Sequence, residues 1–232
     1  MSRFAGFRPE AVQFLVDLAE HNERPWFQAR KGDYERLLKA PLEALCLDLE
    51  AAFRARSLPL VADPARSPFR IYRDVRFSKD KSPYKTNIGA SFPFGERATD
   101  GTPAASGGRR GGGYFHLAPG EIFVGGGMWH PEREPLTAWR RLVVEAPERI
   151  HAAIDDPEFV AHFGGVDGDR LRRVPTGYAA DHPDAALLTL KDVTFGRRLD
   201  DRDVFSASLP EILADDLATA VPLLRLLASL GG

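Results

Sequence analysis

The sequence predicts an α+β fold: an antiparallel sheet of at least four strands flanked by N- and C-terminal helices. Three observations carry that expectation. Apolar residues recur at three-and-four spacing as far as Phe53, they alternate with polar residues between Phe69 and Gly126, and helical spacing returns after Pro135. Helices, then strands, then helices is the pattern of segregated elements rather than of alternating βαβ units.

Pro9 stands where a first helical residue should, and Ala11, Phe14, Leu15, Leu18 and Ala19 form one apolar stripe that ends near Asn22. Pro25 opens a second helical segment with Phe27, Tyr34, Leu37 and Leu38. Pro41 is expected to begin a third, with Leu42, Leu45, Cys46, Leu49 and Phe53 facing the core. Between Leu58 and Pro68, prolines and aspartates end the periodicity. The segment Phe69 to Phe77 then alternates, and after the polar link Ser78 to Pro83 so does Tyr84 to Phe94, which predicts a hairpin of two strands. Residues Gly95 to Gly112 read as a mobile glycine-rich loop. Two short strands follow, Tyr114 to Ala118 and Glu121 to Gly126, joined by a Pro119–Gly120 turn. Further helices are expected at Pro135 (with Leu136, Trp139 and Val143), at Pro147, and at Pro157, the last closed by Gly164 and Gly165. Asp181 to Asp184 read as a capped entry to the turn at Ala185. Pro210 precedes a final helical stretch that Pro222 should kink or divide. No internal repeat or linker is visible, so one domain over residues 1–232 is the economical expectation.

Composition narrows the function class. With 232 residues, 44% hydrophobic and 28% charged, the chain can bury a sizeable core and is not disordered in bulk. Thirty-one basic against 33 acidic side chains leave a net charge of -2, so any recruitment of nucleic acid would need a local patch. Cys46 is the one cysteine, which excludes an intrachain disulfide. No apolar run approaches membrane-spanning length and Met1 to Phe4 lack the apolar stretch of a secretory signal, so the cytoplasm is the expected compartment.

The stretch Arg70 to Thr86 (RIYRDVRFSKDKSPYKT) resembles the signature of a widespread microbial family of conserved proteins whose function is unassigned. Other landmarks agree in order along the chain: His21 to Phe27 (HNERPWF), Gly113 to Trp129 (GYFHLAPGEIFVGGGMW), Asp156 to Phe163, and Arg173 to Pro183 (RVPTGYAADHP). The resemblance implies a single-domain protein and carries no catalytic residue with it. Two features depart from the family pattern. The Gly95 to Gly112 stretch is longer and richer in glycine, and His130 follows Trp129 where a less polar residue is expected.

The most informative local feature is charge. Between Arg66 and Lys85, seven basic residues face only Asp74 and Asp80, an excess of five positive charges. Arg70, Arg73, Arg76, Lys79, Lys81 and Lys85 offer forked and point-charge donors to a phosphate or carboxylate, so a small anionic, phosphorylated ligand is the expected partner. In the blander reading Arg70 and Arg76 are solvated, Arg73 pairs with a carboxylate, and the lysines keep the hairpin soluble. If Tyr114 and His116 share a strand face, they join Asp74, Lys85 and Asn87 on one polar surface, the floor of a pocket. There His116 and Asp74 are candidate proton-transfer or orienting groups, and His130 is a second candidate acid or base. Gly125, Gly126 and Gly127 permit close approach of a ligand or of another backbone, and Trp129 completes the candidate pocket. The triplet is no phosphate loop, because Met128 and Trp129 stand where a Walker lysine and hydroxyl belong. Six scattered histidines without HExxH or a cysteine cluster exclude a structural zinc site, and no GxSxG elbow supports nucleophilic catalysis. No cofactor or oligomeric state is indicated. A nucleic-acid module using the basic hairpin and Arg109–Arg110, and an interaction protein without a ligand, are the alternatives.

Overall fold

The computed structural model describes residues 3–76, 79–95 and 111–230. Its sheet has four antiparallel strands in sequential order: β1 (Ile88–Pro93), β2 (Gly112–Ala118), β3 (Glu121–Met128) and β4 (Val193–Arg198). On one face Ile88, Ala90, Phe92, Phe115, Leu117, Ile122, Val124, Val193 and Phe195 are all buried. Each large side chain among them contributes about 1.5–3 kcal/mol on leaving water. Helices from both ends of the chain cover that face. They are α1 (Pro9–Glu20), α4 (Ala40–Ala55), α7 (Pro157–Phe163), α10 (Leu209–Thr219) and α11 (Val221–Ser229). The fold is thus α+β as expected. No described helix is long and apolar enough to cross a membrane.

Several sequence expectations hold in detail. α1 starts at Pro9 and buries Ala11, Phe14, Leu15 and Leu18, although Ala19 is exposed. α5 (Arg133–Glu145) buries Trp139 and Val143, α6 spans Pro147–Ile154, and Asp156 caps α7, which closes on left-handed Gly164. Pro222 does divide the last stretch, at Ala220, because it cannot donate to the preceding turn. At α8 (Ala185–Leu188) the Asp184 side chain makes no cap; it goes to His151 instead. α9 (Asp201–Val204) completes the set.

Three expectations are corrected. Pro41 does not begin a separate helix: after α2 (Arg24–Ala29) and α3 (Lys31–Tyr34) the chain passes through a π turn, Glu35–Lys39, straight into α4, with Pro41 in its first turn. Without an N–H, Pro41 cannot close an ordinary turn on Leu37, and the wider turn accommodates it. The two basic segments form a hairpin but not two strands. They meet at isolated bridges, Pro68 with Ala90 and Tyr72 with Tyr84, and regular pairing begins only at Ile88. The fourth strand is instead Val193–Arg198, for which no strand was expected. Of the expected loop 95–112, residues 96–110 lie outside the described residues and Gly112 already belongs to β2. Phe77 and Ser78 also lie outside them.

The basic hairpin is held from outside. Tyr72 and Tyr84 are flanked by Lys85 N–H to Ile71 C=O (2.8 Å) and Arg73 N–H to Pro83 C=O (2.9 Å), so the amide and carbonyl of Tyr84 point away from the pair. The Asn22 side chain closes both, donating through Nδ2 to the Tyr84 carbonyl and accepting its N–H through Oδ1, each at 3.0 Å. Phe27 stacks on the buried Tyr84 ring at 4.0 Å. Each backbone group stripped of its partner costs about 1–3 kcal/mol. The Asn22→Ala variant is therefore expected to lower stability by about 3 kcal/mol in urea unfolding, with Asn22→Asp intermediate because the acceptor survives.

His151 on α6 sits between Asp155 (2.7 Å from Nδ1) and Asp184 (3.0 Å from Nε2). These hydrogen bonds, that of Asp155 foremost, raise its pKa above the ordinary 6.5. A raised folded-state pKa contributes stability that is complete below the unfolded value and lost as pH rises through the folded one. The unfolding temperature should therefore fall on going from about pH 6 to about pH 8, and His151→Gln should flatten that slope, as scanning calorimetry can measure.

Candidate functional site

The face of the sheet turned away from the helices is built in three cross-strand rows. Register places Gly89, His116, Phe123 and Arg198 in one, Ser91, Tyr114, Gly125 and Gly196 in the next, and Pro93, Gly112, Gly127 and Thr194 in the third. The sequence alternation correctly puts Tyr114 and His116 on one side. Their side chains meet, the phenol oxygen 2.9 Å from Nδ1, and both are half-buried. His116 stacks on Phe123 at 4.8 Å, and Tyr114 lies 5.7 Å from Phe123 and 5.9 Å from Phe69. Burial pushes Tyr114 up to about 12 and moves His116 below its usual value, so the pair is neutral at pH 7 and offers hydrogen bonds rather than charge.

The basic hairpin borders this cluster through Phe69 and Lys85. Phe69 donates its N–H to Gly89 and its ring is 43% exposed; the Lys85 ammonium lies 5.3 Å from that ring's centre. Burial, and then the neighbouring Arg70, lower the pKa of Lys85. Among the described residues no acid forms an ion pair with Arg70 or Lys85. Asn87 is half-buried at the mouth of β1.

The other predicted basic residues are differently disposed. Arg73 is ion-paired with Asp80, whose carboxylate also accepts from the Ser82 amide and hydroxyl and is held at about 2, Ser82 being the main cause. Arg76 grips Asp74 with two nitrogens, at 2.9 and 2.6 Å, and holds that carboxyl down to about 2 as well. Asp74 is thus a carboxylate engaged with an arginine, and no hydrogen bond joins it to His116. Lys81 donates to the Val75 carbonyl at 2.9 Å, and Lys79 is exposed.

The glycine triplet admits backbone. A Cβ at Gly125, Gly126 or Gly127 would come within 3.0 Å of the carbonyl oxygen of Phe195, Gly112 or Val193 respectively, and Gly127 also has φ +111°. Close strand approach therefore accounts for all three. Trp129 is 74% exposed just past β3 with its ring 4.1 Å from His130, and no ring contact joins it to the Tyr114 cluster among the described residues. His130 has φ +45°, and its N–H donates to buried Asp192 at 2.6 Å, which fixes the chain at this turn. Cys46 is fully buried, and that burial raises its thiol to about 12, the state of an unreactive core residue.

Sequence reasoning missed Phe69, Phe123 and Arg198 as members of this face. Phe123 was legible from its alternation with Ile122 and Val124. Arg198, which donates to the Gly120 carbonyl, belongs to the strand that was not anticipated. Among the described residues, no group of three or more His, Cys, Asp or Glu side chains is placed to hold a metal ion.

Comparison with curated proteins and with solved structures found no match to this chain. The family model described as "Conserved hypothetical protein (DUF2461)" matches residues 10–225, nearly the whole length that carries the hairpin and the sheet, and the chain belongs to that family.

Proposed function

We propose that the chain binds a small phosphorylated organic anion on the outer face of its sheet, with Arg70 and Lys85 taking the charge. Phe69, Tyr114, His116 and Phe123 form the surface for the rest of the ligand. One observation carries this reading: of the predicted basic cluster, Arg73 and Arg76 already hold carboxylates, whereas among the described residues Arg70 and Lys85 form no ion pair, the Lys85 ammonium lies 5.3 Å from the Phe69 ring, and the positive Arg70 helps lower the pKa of the lysine. A phosphate set between them relieves that repulsion and replaces the hydration Lys85 has lost. The neutral His116 supplies a hydrogen bond, and its lowered pKa suits it less to accepting a proton.

Phenyl phosphate is the probe. It should raise the unfolding temperature and bind about fivefold more tightly than inorganic phosphate, because an aromatic contact adds about 0.5–1.5 kcal/mol. The Arg70→Gln, Lys85→Gln double variant breaks no ion pair among the described residues and should fold. Loss of affinity by about tenfold or more in calorimetric titration is expected. Unchanged affinity in the folded double variant overturns the proposal.

The row of four rings beside two cations also favours a second reading, single-stranded nucleic acid stacked along the sheet. Two phosphate contacts predict that affinity for a labelled oligothymidylate falls about sevenfold between roughly 50 and 200 mM salt. Such a fall, with phenyl phosphate competing, would support this reading, and no binding at the lower salt removes it.

A further inference from the structure

A cavity of about 270 Å³ lies on the other side of the molecule, between the N-terminal segment, the π turn and the start of α4. Arg3, Arg8 and Arg36 contribute to its lining, together with Phe4, Leu37 and Pro41. Among the described residues no acid lines it. Arg36 is engaged by exposed Asp33 at 2.8 Å, and among the described residues no acid pairs with Arg3 or Arg8. Asp48, just beneath, is used by the Phe4 amide, which donates to Oδ2 at 2.8 Å.

The walls are fixed independently of any occupant. Phe4 and Phe7 are buried and meet edge to face at 5.4 Å, Phe7 stacks on Phe115 at 5.9 Å, and its N–H donates to Val204 at 3.1 Å. Between them Gly6 turns with φ +92°, where a Cβ would strike the Phe205 carbonyl. Opposite, the π turn supplies Arg36 and Leu37. That turn is the one Pro41 imposes, so it is in place without a ligand.

We infer that this cavity is a second binding site, for a small amphipathic anion: a carboxylate or phosphate monoester with a short apolar body. The arginines match the head group, Phe4, Leu37 and Pro41 match the tail, and the volume is near the lower end for small-molecule sites. Among the described residues the lining includes no histidine, cysteine, serine or lysine. Arginine stays charged throughout, so affinity for a fully ionised ligand is flat between about pH 6 and 9.

The test is a ¹H–¹⁵N shift titration of the full chain with hexanoate and, separately, hexyl phosphate, with hexanol as the uncharged control. Saturable shifts at the Phe4, Gly6, Arg36 and Leu37 amides with a Kd on the order of 1 mM are expected, and hexanol should leave them in place. Whichever anion binds more tightly identifies the head group. The Arg8→Gln, Arg36→Gln double variant should weaken binding about tenfold, and Ala40→Leu, which adds bulk to the cavity wall, should weaken it while the rest of the spectrum stays folded. No saturable shift, equal shifts with hexanol, or unchanged affinity in the folded arginine variant overturns the inference. Shifts confined to Tyr114 and His116 would assign the anion to the sheet face and likewise overturn it.

Discussion

The Asn22 amide, closed on both backbone groups of Tyr84, is the constraint on which the candidate sheet site depends. Residues 69–87 have too little regular pairing to be positioned as a strand. Among the described residues, their placement comes from a side chain following α1, from the Phe27–Tyr84 stack, and from three scattered backbone hydrogen bonds to their own return and to β1. Through that clamp the N-terminal helices, far away in sequence, set where Phe69, Arg70 and Lys85 stand relative to Tyr114. The same arrangement covers the edge of β1, which would otherwise offer a row of free amides to another chain. At the opposite edge, Asp167 exchanges both hydrogen bonds with Thr194 and covers β4 in the same way.

Electrostatics sorts the basic hairpin into two kinds of residue. Asp74 and Asp80 each hold an arginine within the tip, where exposure limits what such pairs contribute to stability and leaves them mainly to shape the turn. Farther back, Arg70 helps lower the pKa of Lys85, whose ammonium lies 5.3 Å from the centre of the Phe69 ring. The fold therefore places like charges together at the site and opposite charges at the tip. Inside the core the order is different: Asp216 is 3% exposed and takes two hydrogen bonds from Arg197, at 2.8 and 2.5 Å. Removing one partner there would strand a buried charge at a cost of about 3–5 kcal/mol.

Much of this was legible in the sequence because the signals are local. The α1 stripe, the Asp156 cap with its Gly164 stop, the Pro119–Gly120 turn and the strand alternation in Tyr114 to Ala118 each depend on residues within one turn or one strand. The misreadings are non-local. Val193 to Arg198 alternates for only three inward positions, and its partner β3 lies about 70 residues earlier, so nothing nearby marks it as a strand. The 69–77 alternation is genuine, yet Pro68 and Pro83 cannot donate and Asn22 takes the outward groups of Tyr84, so period two appears without a ladder. The sequence shows the charge as concentrated and allows Arg73 to meet a carboxylate, but which acid each arginine meets, Asp80 for Arg73 and Asp74 for Arg76, is decided by the turn.

The composition of the outer face departs from that of an ordinary solvated sheet. An antiparallel sheet with one wet face ordinarily alternates apolar inward with charged or hydroxylated residues outward. Here the outward positions of the central strands are Gly112, Tyr114, His116 and Ala118 on β2 and Glu121, Phe123, Gly125 and Gly127 on β3, with the one charge at the turn end. Strand approach explains the glycines of β3. At Gly89 of β1 strand approach applies as well, a Cβ there meeting the Phe115 carbonyl oxygen at 2.8 Å, and it would also meet the Tyr114 hydroxyl and ring at 3.0 Å or less, so its absence lets that ring lie across the neighbouring strand. The ring is thereby brought to His116 on one side and to Phe69 on the other. A face kept merely soluble would need neither the glycine nor the aromatic row, and a face meant for the core would be covered by a helix. The partly exposed Tyr114, His116, Phe123 and Phe69 rings, bordered by Arg70 and Lys85, which form no ion pair among the described residues, are what the proposed ligand site rests on.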